Sequence, residues 1–461
     1  MRAVACVLAT LGAFGSTAMS RAAGPDIIVG DMLDVLRYNV TGDPLSYVFG
    51  TLSCNVGNQY ANWIPDTNQH PVIAQGLYRL KDGRFEQIGM SWLKHGFAAS
   101  IGSFCDFCNN PGSSQRLGAG CSDPYFASTN AQQFGLGPRS EVNAFTGEFA
   151  FPFTLGWQQQ GDVAYKRIQV SYADMDPAQN PGALYFGEGQ YVLPDEAPFG
   201  NQFNNASYRR MFVGAPLGGS WNLSFTDETR QMIPAIFGWR ERTGGPDADD
   251  DLSVEITAVN VPGEGRFYLG HRVWSLGGGL WAYEYAIQNL NSHRSAGSFS
   301  VPVGSALGIS DIGFHDVAYH SGEIYSGTDW PGTVSSGSLT WATQTYAENI
   351  NANALRWGTL YNFRFVSDRP PVSGIVTIGL FRPGTPSSIT VAARVPESSP
   401  PPACPGDVND DQQVTGADLS VLLAQFGSTV APGSGADLNS DGFVNGADLS
   451  VLLGAFGSTC P

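Results

Sequence analysis

Charge is scarce in this chain. Of its 461 residues only 14% are Asp, Glu, Lys or Arg, and Lys and Arg number 24 against 41 Asp and Glu. That shortage of basic residues, with a net charge of −17, excludes nucleic acid as a main partner, because phosphate binding needs a basic surface. Long apolar runs are missing too. Beyond residues 3–14 no stretch approaches the roughly 20 residues that a membrane-spanning helix needs. The chain also lacks a Ser/His/Asp nucleophile motif, a His-Glu-x-x-His pair and a phosphate-cradling glycine loop. Aromatic residues, in contrast, are plentiful (10 Trp, 17 Tyr, 27 Phe), and with so little charge they exclude global disorder. The 57 Gly and 29 Pro favour turns and short strands over long helices.

The N-terminus reads as a secretory signal over residues 1–22. Arg2 precedes the apolar stretch 3–14, and Ser20 and Ala22 stand where small residues are needed for cleavage after residue 22. The expected location is extracellular or at the cell surface, with no integral membrane segment after cleavage. Cysteine usage agrees. Cys6 leaves with the signal, and six remain: Cys54, Cys105, Cys108, Cys121, Cys404 and Cys460. An even number in an exported chain reads first as disulfides. Among the first four, three pairings are open, and Cys54–Cys105 with Cys108–Cys121 is the one we favour. A four-thiolate zinc site and a redox Cys105-x-x-Cys108 pair are the weaker readings.

Four segments should follow the signal: a loop-rich β region at 23–250, a β-sandwich-like region at 251–395, a proline-rich linker at 396–403 and a distinct tail at 404–461. In the sandwich-like region Trp281, Tyr283, Tyr285 and Ile287 share one face at period two, and Tyr361, Phe363 and Phe365 repeat the device opposite Asn362 and Arg364. The expected fold class is mainly β, an antiparallel sandwich-like body, plus a small α-helical module in the tail. The polar run 244–251 either divides two β subdomains or, more simply, is a solvated loop.

The tail carries seven Asp and no Lys or Arg, and it contains a repeat of period 30. Residues 407–427 match 437–457 at 14 of 21 positions. Loop positions 1, 3, 5, 9 and 12 are Asp407, Asn409, Asp411, Thr415 and Asp418 in the first copy, and Asp437, Asn439, Asp441, Asn445 and Asp448 in the second. Position 7, which offers a backbone carbonyl, is Gln413 or Phe443. This is the ligand schedule of a calcium loop, since Ca²⁺ is a hard cation that takes six to eight oxygens. A helix should follow each loop. Leu419, Leu422, Leu423 and Phe426 fall at helical spacing, as do Leu449, Leu452, Leu453 and Phe456, and two facing copies are expected to bury both stripes.

In these residues the tail resembles type I dockerin domains: Asp at position 12, a duplicated loop–helix unit, and no long helix entering either loop. The resemblance implies two bound calcium ions and attachment to a cohesin-like or other surface protein. Gly416-Ala417 and Gly446-Ala447 replace the Ser-Thr pair that the family commonly presents, so an ordinary cohesin is not the expected partner. Gln412 replaces the glycine of position 6, which predicts that the 437–448 loop binds calcium more tightly. A Cys404–Cys460 disulfide is expected to frame the module. The Cys404-to-Cys460 framing and the Gly-Ala-Asp-Leu-Ser-Val-Leu-Leu wording, with segments 78–89 and 353–365 of the body, also resemble secreted planctomycete proteins, a likeness that implies no activity.

Other constellations carry less. His315, Asp316, His320, Glu323 and Asp311 cluster in sequence, and Asp174, Asp176, Glu188, Asp195 and Glu196 offer carboxylates for acid–base work. Loops between strands and surface acidity are the favoured explanation of both. His70, His95, His271 and His293 are isolated. No catalytic residue is assigned. We read the body as a binding or structural part of a secreted or surface protein, with a polysaccharide-degrading glycoside hydrolase or a non-catalytic carbohydrate-binding protein as alternatives.

Overall fold

The computed structural model describes residues 21–38, 42–243, 250–304, 308–398 and 405–459. The signal stretch 1–20, the core of the polar run at 244–249, Cys404 and Cys460 lie outside them, and the expected Cys404–Cys460 bond with them. The chain divides into two compact units. One runs up to Val395 without 303–307, and the other holds 303–307 with the segment from Pro396 onward.

The body is built from antiparallel strands. Its larger sheet has 11 strands, with Ile27–Tyr38, Leu45–Asn55, Ile168–Val170, Arg84–Met90, Val72–Lys81, Leu184–Val192, Ala206–Leu217 and Ser220–Phe225 neighbours in that order. Asp82 and Gly83 join Val72–Lys81 to Arg84–Met90 with φ of 50° and 78°. That is the left-handed pair a two-residue hairpin turn requires to match strand twist. The sheet curls onto itself: the Tyr47 hydroxyl donates to the Trp221 carbonyl at 2.9 Å, and Arg209 pairs with Asp31 at 3.0 Å. Val29, Met32, Phe49, Tyr185, Met211 and Trp221 fill the enclosed core.

Two five-stranded sheets follow in the chain. One orders Glu255–Val261, Glu264–Gly277, Leu280–Asn289, Thr359–Ser367 and Ile309–His315; the other orders Gly332–Ser335, Ser338–Ala342, Ala296–Pro302, Pro371–Leu380 and Ser388–Pro396. They pack face to face through the period-two aromatics. Tyr285 meets Phe299 at 5.4 Å between ring centroids, Phe299 meets Phe363 at 4.8 Å, and Trp341 meets Phe363 at 5.5 Å. This is the sandwich, and these rings serve its core rather than an open sugar-stacking strip.

The opposite face of Leu280–Asn289 is buried as well. Ala286, Leu290 and Leu360 share a core with Tyr78, Phe85 and Phe186 of the larger sheet. The Gln87 side chain accepts from Leu360 N at 2.8 Å and donates to the Gly358 carbonyl at 3.2 Å. The sandwich and the curled sheet therefore belong to one body.

Burial at this junction has a pH consequence. Glu284 is enclosed, and burial pushes its carboxyl up to about 8, against the opposing charges of Arg84 and Arg364. A folded value above the usual 4.5 means its contribution to stability is complete below that pH and is lost as pH rises towards 8. Asp123 behaves alike, raised by burial to about 7. The buried histidines oppose this: lowered to about 4 at His70, His293 and His320 from the usual 6.5, they take up protons on unfolding up to about pH 7.5, and Lys94 and Lys166, lowered to about 8, do so above about pH 7. Below their folded values Glu284 and Asp123 should therefore each contribute a fall of up to about 1.4 kcal/mol of stability per pH unit, against a rise from the histidines, so the share of Glu284 is read as the difference between wild type and a neutral variant. Glu284→Gln should make the slope of stability against pH more positive between about pH 5 and 7.5; a slope that it leaves unchanged removes Glu284 as a contributor.

Candidate calcium-binding module

The C-terminal unit repeats one local design. Gly416–Gln425 and Gly446–Gly454 form the two helices. Each begins at a side-chain cap: Thr415 Oγ1 accepts from Ala417 N at 3.2 Å, and Asn445 Oδ1 accepts from Ala447 N at 2.8 Å. Asp418 and Asp448 close the capping boxes by accepting from Thr415 N and Asn445 N, each at 2.8 Å. The position-9 side chains thus serve the helix starts, a role that the ligand schedule did not predict.

The loops wrap their backbones around the carboxylates. Asp407 accepts from Asp411 N at 3.1 Å and Gln412 N at 2.9 Å; Asp437 accepts from Asp441 N at 3.1 Å and Gly442 N at 2.8 Å. Asp418 and Asp448 sit beneath, with no exposed surface, and each receives two further N–H groups, from Val408 and Asn409 or from Leu438 and Asn439. Burial alone would raise Asp418, but the N–H donors of Thr415, Asn409 and Val408 outweigh it and hold the carboxyl below its usual range. Asp448 is lowered by the matching donors against the same opposing burial. In the first loop, oxygens of Asp407, Asp411 and Asp418 all lie within 4.8 Å of one another. Three carboxylate groups converging in a tail without a single Lys or Arg make an all-oxygen, anionic donor set, and that set fits calcium.

Position 6 behaves as its sequence implied. Gln412 has φ of 66° and Gly442 has φ of 86°, so both copies demand the left-handed conformation and only one has glycine for it. The module is interlocked. Val414 N donates to Ser458 O and Gly457 N to Val414 O, while Gly427 N donates to Val444 O and Val444 N to Ser428 O. Each loop therefore pairs with the segment that follows the other copy's helix. Val414, Leu422, Ala436, Val444 and Leu452 form the core.

The expected burial of both stripes is only half right. Leu422 and Leu452 are enclosed, and Leu419 and Leu449 are partly so, but Leu423, Phe426, Leu453 and Phe456 stand about half exposed (48–54%). One turn of contact between two short helices covers one side of each stripe and leaves the rest to solvent.

With this geometry in view, the match is to a known family. The family model of the type I dockerin domain matches residues 405–456. The C-terminal module is a type I dockerin domain, of a family that binds calcium and attaches to cohesin-type partners. No curated protein matches the chain. No helix of the described residues is long and apolar enough to cross a membrane.

In the body, Cys54 is bonded to Cys105 and Cys108 to Cys121, which leaves these four sulfurs neither a zinc site nor a redox dithiol. Most of the candidate acids prove structural. Glu323 accepts from the amide and hydroxyl of Ser140, Asp195 from Asn62 N, and Glu196 from Ile27 N and Asn205. Asp176 stabilises a turn through Ala178 N, Asp311 lies exposed at a strand irregularity, and His320 donates to the Met90 carbonyl at 2.6 Å. Two acids distant in sequence line the same cavity. Asp174 and Asp316 line one cavity of about 450 Å³ with His315, His320 and Gln169. Asp174 is held by Arg79 and Ser171, each at 2.8 Å, whereas burial, opposed by an Asn353 hydrogen bond, pushes Asp316 up to about 6. A raised acid and an arginine-bound carboxylate on the lining of one cavity supply a candidate proton donor and a candidate base. The sequence also gave no sign that His70 and His95, 25 residues apart, would meet at 3.1 Å.

Proposed function

We propose that this is a secreted or cell-surface protein whose C-terminal module holds two calcium ions and attaches the body to a partner. The reading rests on the duplicated loop and on the carboxylates that converge in its first copy. Asp407, Asn409, Asp411, the Gln413 carbonyl and Asp418 would hold one ion, and Asp437, Asn439, Asp441, the Phe443 carbonyl and Asp448 the other, with Thr415 and Asn445 contributing through water. Calcium here is structural: it neutralises the clustered carboxylates and fixes the pose of the helices. The paired half-exposed residues Leu423 and Phe426, Leu453 and Phe456 give the docking face its apolar content. Gly416-Ala417 and Gly446-Ala447, exposed at the helix starts, favour a partner other than an ordinary cohesin. The two disulfides of the body suit an oxidising compartment.

Expressed in its source cells, the protein is expected at the cell surface and should be released by a calcium-chelator wash. Leu423→Asp combined with Leu453→Asp should move it to the medium without chelation. Retention of that variant on the cells, or of the wild type after chelation, would sink the proposal.

A second reading for the body, hydrolysis of a glycosidic bond, draws on the Asp174–Asp316 cavity. A polysaccharide hydrolysis screen of the intact chain, with Asp316→Asn as the inactive control, tests it.

A further inference from the structure

Lys94 is an unusual lysine. Its side chain belongs to the short strand Leu93–His95 and is only 2% exposed, yet its ammonium makes no hydrogen bond or ion pair with any described residue. Its neighbours are rings: Phe97 at 4.7 Å from the centroid and Phe134 at 6.0 Å. Lys166 shows what this body does with a lysine that only needs housing. Its ammonium donates to the carbonyls of Gly156 at 2.7 Å, Gln159 at 3.2 Å and Gln133 at 3.3 Å. Cation–π contact recovers part of the hydration that Lys94 loses, but rings offer no acceptor for its three N–H groups. Burial lowers the ammonium to about 8, so it is still charged at neutral pH.

The ammonium faces a cavity of about 210 Å³ lined by Phe97, Phe134, Phe151, Phe153 and Trp157. A Cβ at residue 135 would stand 2.9 Å from Nζ, so Gly135 keeps the approach clear. The adjoining histidine adds no second cation. His70 Nδ1 faces the Ile64 carbonyl at 3.4 Å and therefore carries the proton; its Nε2 then accepts from His95 Nδ1 at 3.1 Å, and His95 Nε2 is left bare, without a partner. Both rings are neutral, held so by burial. Asp66 lies exposed at the rim, where solvent screens it. One unpaired positive charge at the wall of an aromatic chamber asks for one negative charge on a flat, largely apolar body. The volume lies below that of sites for drug-sized ligands, which points to a single-ring molecule.

We propose that this cavity binds a small ring-shaped organic acid, its carboxylate paired with Lys94 and its flat face laid against Phe97, Phe134 and Trp157. Aromatic acids and sugar acids share that chemistry. Calorimetric titration of the full chain with benzoate and with D-glucuronate, using benzamide as the uncharged control, separates the sources. Saturable binding is expected for at least one acid, and the responding acid names the source. Benzamide should bind at least tenfold more weakly than benzoate if benzoate responds. Lys94→Met should abolish binding, and Phe134→Ala, at a half-exposed position that does not threaten folding, should weaken it at least threefold. No saturable heat from either acid overturns the proposal, as does unchanged affinity in Lys94→Met. If Lys94→Met fails to fold, an unchanged affinity in Phe134→Ala overturns it instead.

Discussion

Chelating calcium from the intact chain is expected to destabilise residues 405–459 and leave the stability of the body unchanged. Five fully enclosed apolar side chains are a small core for a segment of that length, and clustered carboxylates repel one another when no cation lies between them. An ion present at a thousandfold excess over its Kd contributes about 4 kcal/mol per site. Calorimetric melting should therefore show two transitions, of which chelator shifts only the smaller, by about 10 °C or more. Asp418→Ala or Asp448→Ala should mimic much of that shift, because each carboxylate also gathers three backbone N–H groups. A module transition indifferent to chelator would contradict the calcium reading outright. Calcium titration should fill the 437–448 loop first, since Gln412 is held at φ of 66° at roughly 1 kcal/mol or more of strain. Gln412→Gly should tighten the first site about fivefold and bring the two steps together.

Glu188→Ala should be among the most damaging single changes in the body, at about 4 kcal/mol. Its carboxylate is only 3% exposed and gathers the Tyr78 hydroxyl at 2.9 Å, the Ala235 amide at 2.6 Å and the Gln288 side-chain amide at 2.8 Å. Those donors come from strand Val72–Lys81, the start of the 3₁₀ turn Ala235–Arg240 and strand Leu280–Asn289, so one side chain ties the curled sheet to the sandwich. Truncation leaves the Tyr78 hydroxyl and the Ala235 amide without an acceptor, leaves the Gln288 amide only the Tyr78 oxygen at 3.3 Å, and opens a cavity. Burial raises this carboxyl above its usual range, against the opposing hydrogen bonds. Glu188→Gln keeps the volume and one acceptor oxygen and should cost about half as much. Urea unfolding measures both, and a Glu188→Ala loss under about 1 kcal/mol would show that the network is dispensable.

Glu188 also shows where sequence reading stops. As one acid among many it resembled a catalytic candidate; its role became visible only when strands separated by 100 and 110 residues met around it. The same holds for Asp174 and Asp316, which line one cavity, and for Lys94, which composition records as one of a few basic residues and nothing more. The period-two aromatics gave the strands and one packed face. They could not say that Ala286 and Gln288, on the other face of Leu280–Asn289, would be buried as well, because that burial depends on a second sheet.

In the tail the balance is reversed. Twelve consecutive residues carry the whole ligand schedule, and the helix signal follows at once, so spacing alone determined the loops, their position-12 aspartates and the need for positive φ at position 6. What spacing left open even there was long-range: which side of each Leu/Phe stripe the other copy would cover, and that each loop would pair with the segment after the other helix. The sequence by itself determined a β-rich body and an acidic calcium-loop repeat, because both are written in local periodicity. Only the tertiary structure decided which buried charges have partners among the described residues and which, like Lys94, do not, because a charge finds its partner across the fold and not along the chain.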